Sequence, residues 1–382
     1  MIKIKFFTDL APHYRGPIWS AILNHPDWDV NFFYGDSKTG IEGIDIEKGS
    51  FSSNKDRMHK VKNYWWKDKR IIWQSGVIRE CCGPKFDYAF FTSEMSRPSS
   101  WIAAAICRLR GIQVVFWAHG LYGKEKGLKL WMKKIFFHLP NKFLMYERRG
   151  KEILIEHGFK PDNLYVVFNS LDYDAHKLLN QKLQGLDKEK VFSFFKDPSL
   201  PVLIFIGRLT KEKKLDMLLQ AVNAINEKSP KVNLVVMGGG TERDKLEDMG
   251  KIGLENKWLH FTGPCYDEEV IGKYLSLSDL CVSPGNIGLT AIHSLSFGTP
   301  ACTHDNMRNQ GPEAAAIENG YNGFFFKENN VDDLRIKIEN WVKNTDRDLV
   351  RERSYEIVDK YYNPYYQITV FEQLFSGEKP EM

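Results

Sequence analysis

Short apolar runs alternate with longer segments of helical periodicity along the whole chain. In the first half, runs at 2–8, 29–34, 88–92, 113–118, 143–146 and 164–168 predict strands, with helical patterns such as 99–110 and 127–138 between them. In the second half, strands are expected at 202–206, 233–237, 259–262, 280–283, 300–303 and 323–325, interleaved with helices at 216–226, 242–249, 267–276, 289–296 and 331–341. This alternation predicts an α/β protein with mostly parallel sheets covered by helices on both faces, and it occurs twice. Between the two halves, 172–199 shows scattered charge, Gly185 and no sustained apolar run. The expected organisation is therefore a first domain at 1–172, a linker at 173–199 and a second domain at 200–360. A tail at 361–382, rich in tyrosine around Asn363-Pro364, is expected to pack back across the interdomain region. A length of 382 residues suits two domains of ordinary size.

The sharpest chemical signal is Val202-Leu203-Ile204-Phe205-Ile206-Gly207-Arg208-Leu209-Thr210-Lys211-Glu212-Lys213. An apolar strand ends in glycine, and two cations stand five apart around the turn before a helical pattern begins. Ligands bind at the carboxyl ends of strands in open α/β sheets. There Arg208 and Lys213 suit a polyanion such as a diphosphate, the arginine as a fork and the lysine as a point charge. Farther on, Cys281-Val282-Ser283-Pro284-Gly285-Asn286-Ile287-Gly288-Leu289-Thr290 again runs strand, glycine-bearing loop, helix. Amides at such a helix start attract anions, and Asn286 and Thr290 add polar groups. The turn Met237-Gly238-Gly239-Gly240 has Arg243 where a dinucleotide fingerprint needs its third glycine, and reads as a tight connection.

Composition excludes several classes. A net charge of +4 gives no reason to expect nucleic acid, and the six cysteines form no CxxC pair or His-bearing ligand spacing. The amino terminus reaches Asp9 too soon for a signal peptide, and no apolar run is long enough to span a membrane. A reducing cytosol is the expected setting. Charge is nevertheless uneven: nine Lys or Arg stand against two Glu between Lys124 and Lys151. Within that stretch Leu128, Trp131, Met132, Ile135, Phe136 and Leu139 make one helical stripe, flanked by Lys126, Lys129, Lys133 and Lys134. Segment 62–70, with Tyr64, Trp65 and Trp66, repeats the composition. An anionic membrane surface or an anionic lipid-linked acceptor fits Lys129, Trp131, Lys133 and Lys134, against the plainer reading of a core-facing helix with solvated lysines.

Taken in order, Gly207-Arg208-Leu209, Glu212-Lys213, Phe261-Thr262-Gly263, Ser278-Asp279-Leu280, Ser283-Pro284, Gly288-Leu289, Gly298-Thr299-Pro300, Pro312-Glu313 and Asn322-Gly323 resemble the retaining GT-B glycosyltransferases, most nearly family 4 (group 1). The resemblance implies two Rossmann-like domains facing across a cleft, a nucleotide-sugar donor held by the second and an acceptor by the first. It places Arg208 and Lys213 on the donor diphosphate and the Gly288-Leu289 amides on its distal phosphate. It makes His119 the active-site histidine facing the donor sugar, and Gly16 part of a glycine loop approaching the pyrophosphate. The family's two glutamates, eight apart, fall on Gly285 and His293 here. His293 then stands where a ribose-binding carboxylate is usual, beside the donor-binding set of Asn286, Gly288, Leu289 and Thr290.

The expected activity is hexosyl transfer from a nucleotide sugar, read as uridine-linked, to a lipid-linked saccharide in bacterial surface-polysaccharide synthesis. No metal or other cofactor is expected, because the cationic pair supplies the charge. Aspartate pairs at 27/29, 172/174 and 346/348 read as chance. The expected location is the cytoplasmic face of the membrane, as a peripheral protein. Alternatives are a non-catalytic glycosyltransferase-like partner or a sugar-nucleotide epimerase of the same fold.

Overall fold

The structure, a computed structural model, describes residues 1–36, 49–66, 71–92 and 95–380. Contacts divide it into two compact units, Met1–Asp172 with Asn363–Met382, and Tyr173–Tyr362.

The first unit contains β1 (Ile2–Thr8), α1 (Gly16–Leu23), β2 (Trp28–Tyr34), β3 (Met58–Lys60), β4 (Asn63–Trp66), β5 (Ile71–Gln74), α2 (Val77–Cys82), β6 (Tyr88–Thr92), α3 (Pro98–Leu109), β7 (Gln113–Ala118), α4 (Gly127–Phe137), β8 (Lys142–Met145), α5 (Arg148–Glu156) and β9 (Leu164–Val166). Seven strands form a parallel sheet in the order β3-β2-β1-β6-β7-β8-β9. Its centre explains the aromatic runs in the sequence. Phe6 on β1 pairs in register with Phe32 and Phe90, and the rings stack at 4.7 and 4.9 Å. One residue on, Phe7 stacks with Phe33 and Phe91 at 5.2 and 5.1 Å. Successive side chains face opposite sides of a sheet, so both faces are apolar, as a sheet covered by helices requires.

Strands β4 and β5 pair with each other as an antiparallel ribbon. Composition concealed this ribbon, because 62–70 looked like a basic aromatic patch. Its last part, 67–70, lies outside the described residues.

The second unit contains α6 (Tyr173–Lys182), α7 (Lys188–Val191), β10 (Val202–Ile206), α8 (Leu215–Ile225), β11 (Asn233–Met237), α9 (Arg243–Met249), α10 (Lys251–Glu255), β12 (Leu259–Gly263), α11 (Glu268–Leu277), β13 (Leu280–Val282), α12 (Thr290–Ser296), β14 (Ala301–His304), β15 (Gly323–Phe326), α13 (Val331–Asn344) and α14 (Arg347–Tyr361). Six strands run parallel in the order β12-β11-β10-β13-β14-β15. Leu203 and Phe205 enter one core while Val202 and Ile204 enter the other, so both faces are again covered.

The stretch 173–199, read from composition as a linker, instead carries α6 and α7 and is part of this unit. Leu183, Phe192 and Phe195 are buried there beside Val202 and Ile204. The last helix, α15 (Pro364–Ser376), returns to the first unit, with Val370, Phe371 and Leu374 buried against Trp19, Trp28 and Phe90. Among the described residues, no helix is long and apolar enough to cross a membrane.

Candidate functional site

In the second sheet the chain runs outward from β10 to β12 and then restarts at β13, on the other side of β10. The loops after β10 and β13 therefore flank the point where strand order reverses, the place where open α/β sheets form ligand crevices. Arg208 and Lys213 lie on the first loop; Asn286, Gly288, Leu289 and Thr290 lie on or just after the second. The two loops are fastened together. Lys213 Nζ donates to the Asn286 carbonyl at 2.5 Å, Gly285 N–H to the Lys213 carbonyl at 3.1 Å, and Thr290 Oγ1 to the Ile206 carbonyl at 3.3 Å.

Charge at this place is split between an exposed and a half-buried group. Arg208 is exposed, whereas Lys213 is half-buried. Burial, and after it the Arg208 guanidinium, holds the Lys213 ammonium below the usual lysine range, and the Glu313 carboxylate opposes that shift. An anion placed between two such cations relieves their repulsion. The amides of Gly288 and Leu289 donate to no group among the described residues, although α12 behind them is only seven residues long. Gln310, which the sequence did not single out, braces the second loop: its Oε1 accepts from Ile287 N–H at 3.0 Å and its Nε2 donates to Thr303 at 2.8 Å.

Three glycines around these loops answer to packing. A Cβ on Gly238 would lie 1.8 Å from the Gly207 carbonyl oxygen, and one on Gly240 2.3 Å from that of Leu209. The Met237–Gly240 turn thus exists to let two loops lie backbone on backbone. A Cβ on Gly285 would lie 2.1 Å from the Glu212 carbonyl oxygen. The position that carries a glutamate in the resembled family accepts no side chain here.

Among the described residues, His293, on α12, makes no hydrogen bond or ring contact with the Arg208–Lys213 loop. Its Nε2 lies 2.5 Å from Glu268 Oε1 on α11, and its ring stacks on that of His176 from α6 at 5.2 Å. Neither Glu268 nor His176 stood out in the sequence, because the three residues sit on three separate helices.

In the first unit, His119 follows β7 and sits at one wall of a cavity of about 660 Å³ that Ser96, Tyr122, Lys124, Glu125, Lys129 and Lys133 also line. The close approach of α5 fixes its backbone, since a Cβ on Gly150 would lie 2.9 Å from the His119 carbonyl. Burial first, then the Arg15 and Lys133 charges, push the His119 pKa down to about 4, so the imidazole is neutral at physiological pH. Arg15, missed as a site residue, is buried among Trp19, Trp117 and Tyr146, with its guanidinium 4.8–5.6 Å from their ring centres. Gly16 opens α1 with helical φ, and a Cβ there would meet only the Phe51 ring at 3.7 Å. The fold itself does not demand glycine at that position.

Helix α4 corrects the reading of the basic stripe. Leu128 and Trp131 are 70% and 60% exposed, with Met132 and Ile135 also in solvent, while Phe136 and Phe137 are buried. Lys129 is exposed and Lys134 half-buried. Lys133 is not a surface cation. It turns inward to Glu125 at 2.7 Å, and that carboxylate also accepts from the backbone N–H of Tyr122 and Lys124. Lys151 is likewise buried.

Of the aspartate pairs, Asp346 has a structural task. It caps α14 by accepting from the N–H groups of Asp348 and Leu349.

Two doubly wound parallel units define the fold as the GT-B type of α/β protein. Residues 187–356 match the family model described as Glycosyl transferases group 1. That is less than half of the chain, but it contains both loops of the switch point. The GDP-mannose-dependent alpha-(1-6)-phosphatidylinositol dimannoside mannosyltransferase of Mycobacterium tuberculosis is 34% identical over 107 residues, 27% of this chain and 27% of its own. The chain thus matches about a quarter of that relative's length. Among solved structures, Anabaena Alr3699/HepE in complex with UDP is similar with a TM-score of 0.68 at 15% identity, covering 98% of this chain and 100% of that one. UDP-GlcNAc 2-epimerase from Neisseria meningitidis, bound to UDP-GlcNAc, has a TM-score of 0.59 at 14% identity, covering 98% and 100%. At such identities the likeness shows the fold, which transferases and an epimerase share.

Proposed function

We propose that this protein is a glycosyltransferase that takes a sugar from a nucleotide donor. The observation that carries the reading is the joined pair of loops at the second unit's switch point, with Arg208 and Lys213 on one and the Gly288-Leu289 amides on the other. Glycosyl transfer requires a diphosphate leaving group made stable and an anomeric carbon that carries positive charge. Two cations fixed where the diphosphate departs stabilise the developing charge, and loss of one such contact typically costs about 10²–10³ in rate. The donor is a uridine diphosphate sugar; the UDP bound by a structural neighbour supports this choice of base.

Transfer proceeds with retention, as the resembled family implies, the leaving phosphate oxygen taking the acceptor's proton. This fits a His119 that is neutral and a switch-point position, Gly285, that cannot hold a carboxylate. No metal is needed at the diphosphate, because Arg208 and Lys213 provide the charge a divalent ion would bring.

The acceptor is an anionic, lipid-linked saccharide of a surface polysaccharide. Lysines 124, 126 and 129 around the first unit's cavity favour an anion, and the exposed apolar face of α4 favours a lipid surface. The protein then works on the cytoplasmic face of the membrane. Epimerisation would need no acceptor and gives those features no task.

The test is UDP release from UDP-sugars, with membrane extract as acceptor source and EDTA in excess. Acceptor-dependent release that persists in EDTA and falls about 10²-fold or more in Arg208→Ala supports the reading. Near-normal turnover in that variant, or a sugar epimerised without acceptor, sinks it.

A further inference from the structure

Three helices of the second unit bring His176 (α6), Glu268 (α11) and His293 (α12) to one point. Glu268 Oε1 lies 2.9 Å from His176 Nε2 and 2.5 Å from His293 Nε2. One ligand atom from each residue lies within 4.8 Å of the other two. The imidazoles stack nearly parallel, at 12°, and the buried ring of Phe297 backs both at 5.0 and 5.6 Å. Exposure is graded across the cluster: the His176 side chain is 6% exposed, and that of Glu268 45%. The imidazoles are thus held from behind while the carboxylate faces water.

We propose that His176, Glu268 and His293 form a transition-metal site suited to Zn²⁺, with two imidazole nitrogens and one carboxylate oxygen as ligands and a fourth position open to water. Two His and one Glu is a donor set that zinc accepts in tetrahedral geometry with an open site. Hard ions such as Mg²⁺ and Ca²⁺ prefer all-oxygen ligands. With metal–ligand bonds of about 2.0–2.1 Å, tetrahedral ligand atoms sit roughly 3.3 Å apart. The carboxylate, the most exposed of the three, must therefore move outward by less than about 1 Å, and the two imidazole nitrogens, which lie within 4.8 Å of each other, must settle to the same spacing. His176 Nδ1 is buried with no partner among the described residues. In the metal-free pair the ring proton sits on Nε2 and is donated to Glu268; Zn²⁺ binding at Nε2 displaces that proton, and Nδ1 is the ring nitrogen that can take it up. His293 stands on α12, the helix that follows the Gly288-Leu289 loop, but metal binding is read without any transfer assay and does not depend on the transfer reading.

The test uses the full chain after EDTA treatment and buffer exchange, titrated calorimetrically with Zn²⁺ and, for its visible absorption, with Co²⁺. Saturable binding of one Zn²⁺ per chain is expected, with a Co²⁺ spectrum of low coordination number and a raised melting temperature. Glu268→Gln and His176→Gln should each weaken Zn²⁺ binding more than about tenfold. Glu268→Gln decides the matter if the buried His176 variant does not fold, because that side chain is half in solvent. Absence of saturable binding in the wild type overturns the proposal and leaves a hydrogen-bonded cluster. Binding unchanged in Glu268→Gln also overturns it, since the ion then sits on other residues.

Discussion

Gly285 and Gly16 are both glycines, yet the structure treats them differently. At Gly285 the neighbouring Glu212 carbonyl occupies the space a Cβ needs; at Gly16 a Cβ would make only ordinary contact with the Phe51 ring. The first glycine answers to the protein's own backbone, the second leaves room for something else. Gly285→Ala should therefore cost stability, about 1–3 kcal/mol for an overpacked position, and should disturb the Lys213 turn. Chemical denaturation alongside Gly16→Ala checks this. Gly16→Ala should melt normally, and equal stability of the two variants would contradict the packing argument. Neither distinction is legible in the sequence, because a glycine does not say which neighbour it makes room for. The place of Arg208 and Lys213 on a strand-end loop was legible, since strand, turn and helix follow one another locally. His176 and Glu268 were not, since only the packing of three helices brings them to His293.

At the scale of elements, the parallel strands stand close to where apolar runs predicted them. Helix α4 was harder. It is apolar on more than one face, so periodicity alone did not say which face is buried. Phe136 and Phe137 enter the core, and Leu128, Trp131, Met132 and Ile135 remain outside. Likewise Lys133 reads as one lysine among many, although its ammonium pairs with a buried carboxylate. This decides how membrane docking should be tested. Reversing Lys133 would unpair Glu125 and confuse folding with binding, because removing one partner of a buried pair costs about 3–5 kcal/mol. Lys126→Glu/Lys129→Glu/Lys134→Glu avoids that. Each cation near an anionic surface contributes about 1 kcal/mol, and the attraction fades beyond a Debye length. Co-sedimentation with acidic liposomes should fall sharply in the triple variant and as salt rises. Equal recovery on neutral and acidic liposomes would show that α4 does not bind charged membranes.

For the whole molecule, the sequence pattern forecast two doubly wound units, and the sheet orders agree with it. The forecast missed the helices at 173–199 because their apolar positions, Leu183, Phe192 and Phe195, are sparse and separated by charge. It also left the tail's destination open to misreading, since a tyrosine-rich opening does not reveal which unit Phe371 and Leu374 will join. Strand order is what converts the two basic residues of one loop into a candidate site, by setting the β10 loop beside the β13 loop.

That juxtaposition makes a demand on binding that needs no acceptor and no knowledge of the sugar. If Arg208 and Lys213 hold the diphosphate, the protein distinguishes UDP from uridine chiefly through them. Calorimetric titration of UDP and uridine into wild type, Arg208→Ala and Lys213→Ala measures this directly. Hydrogen bonds to charged groups contribute about 1.5–3 kcal/mol each, so each substitution should weaken UDP roughly tenfold or more and leave uridine nearly unchanged. UDP affinity unaltered in both variants would contradict the assignment of the diphosphate to this loop.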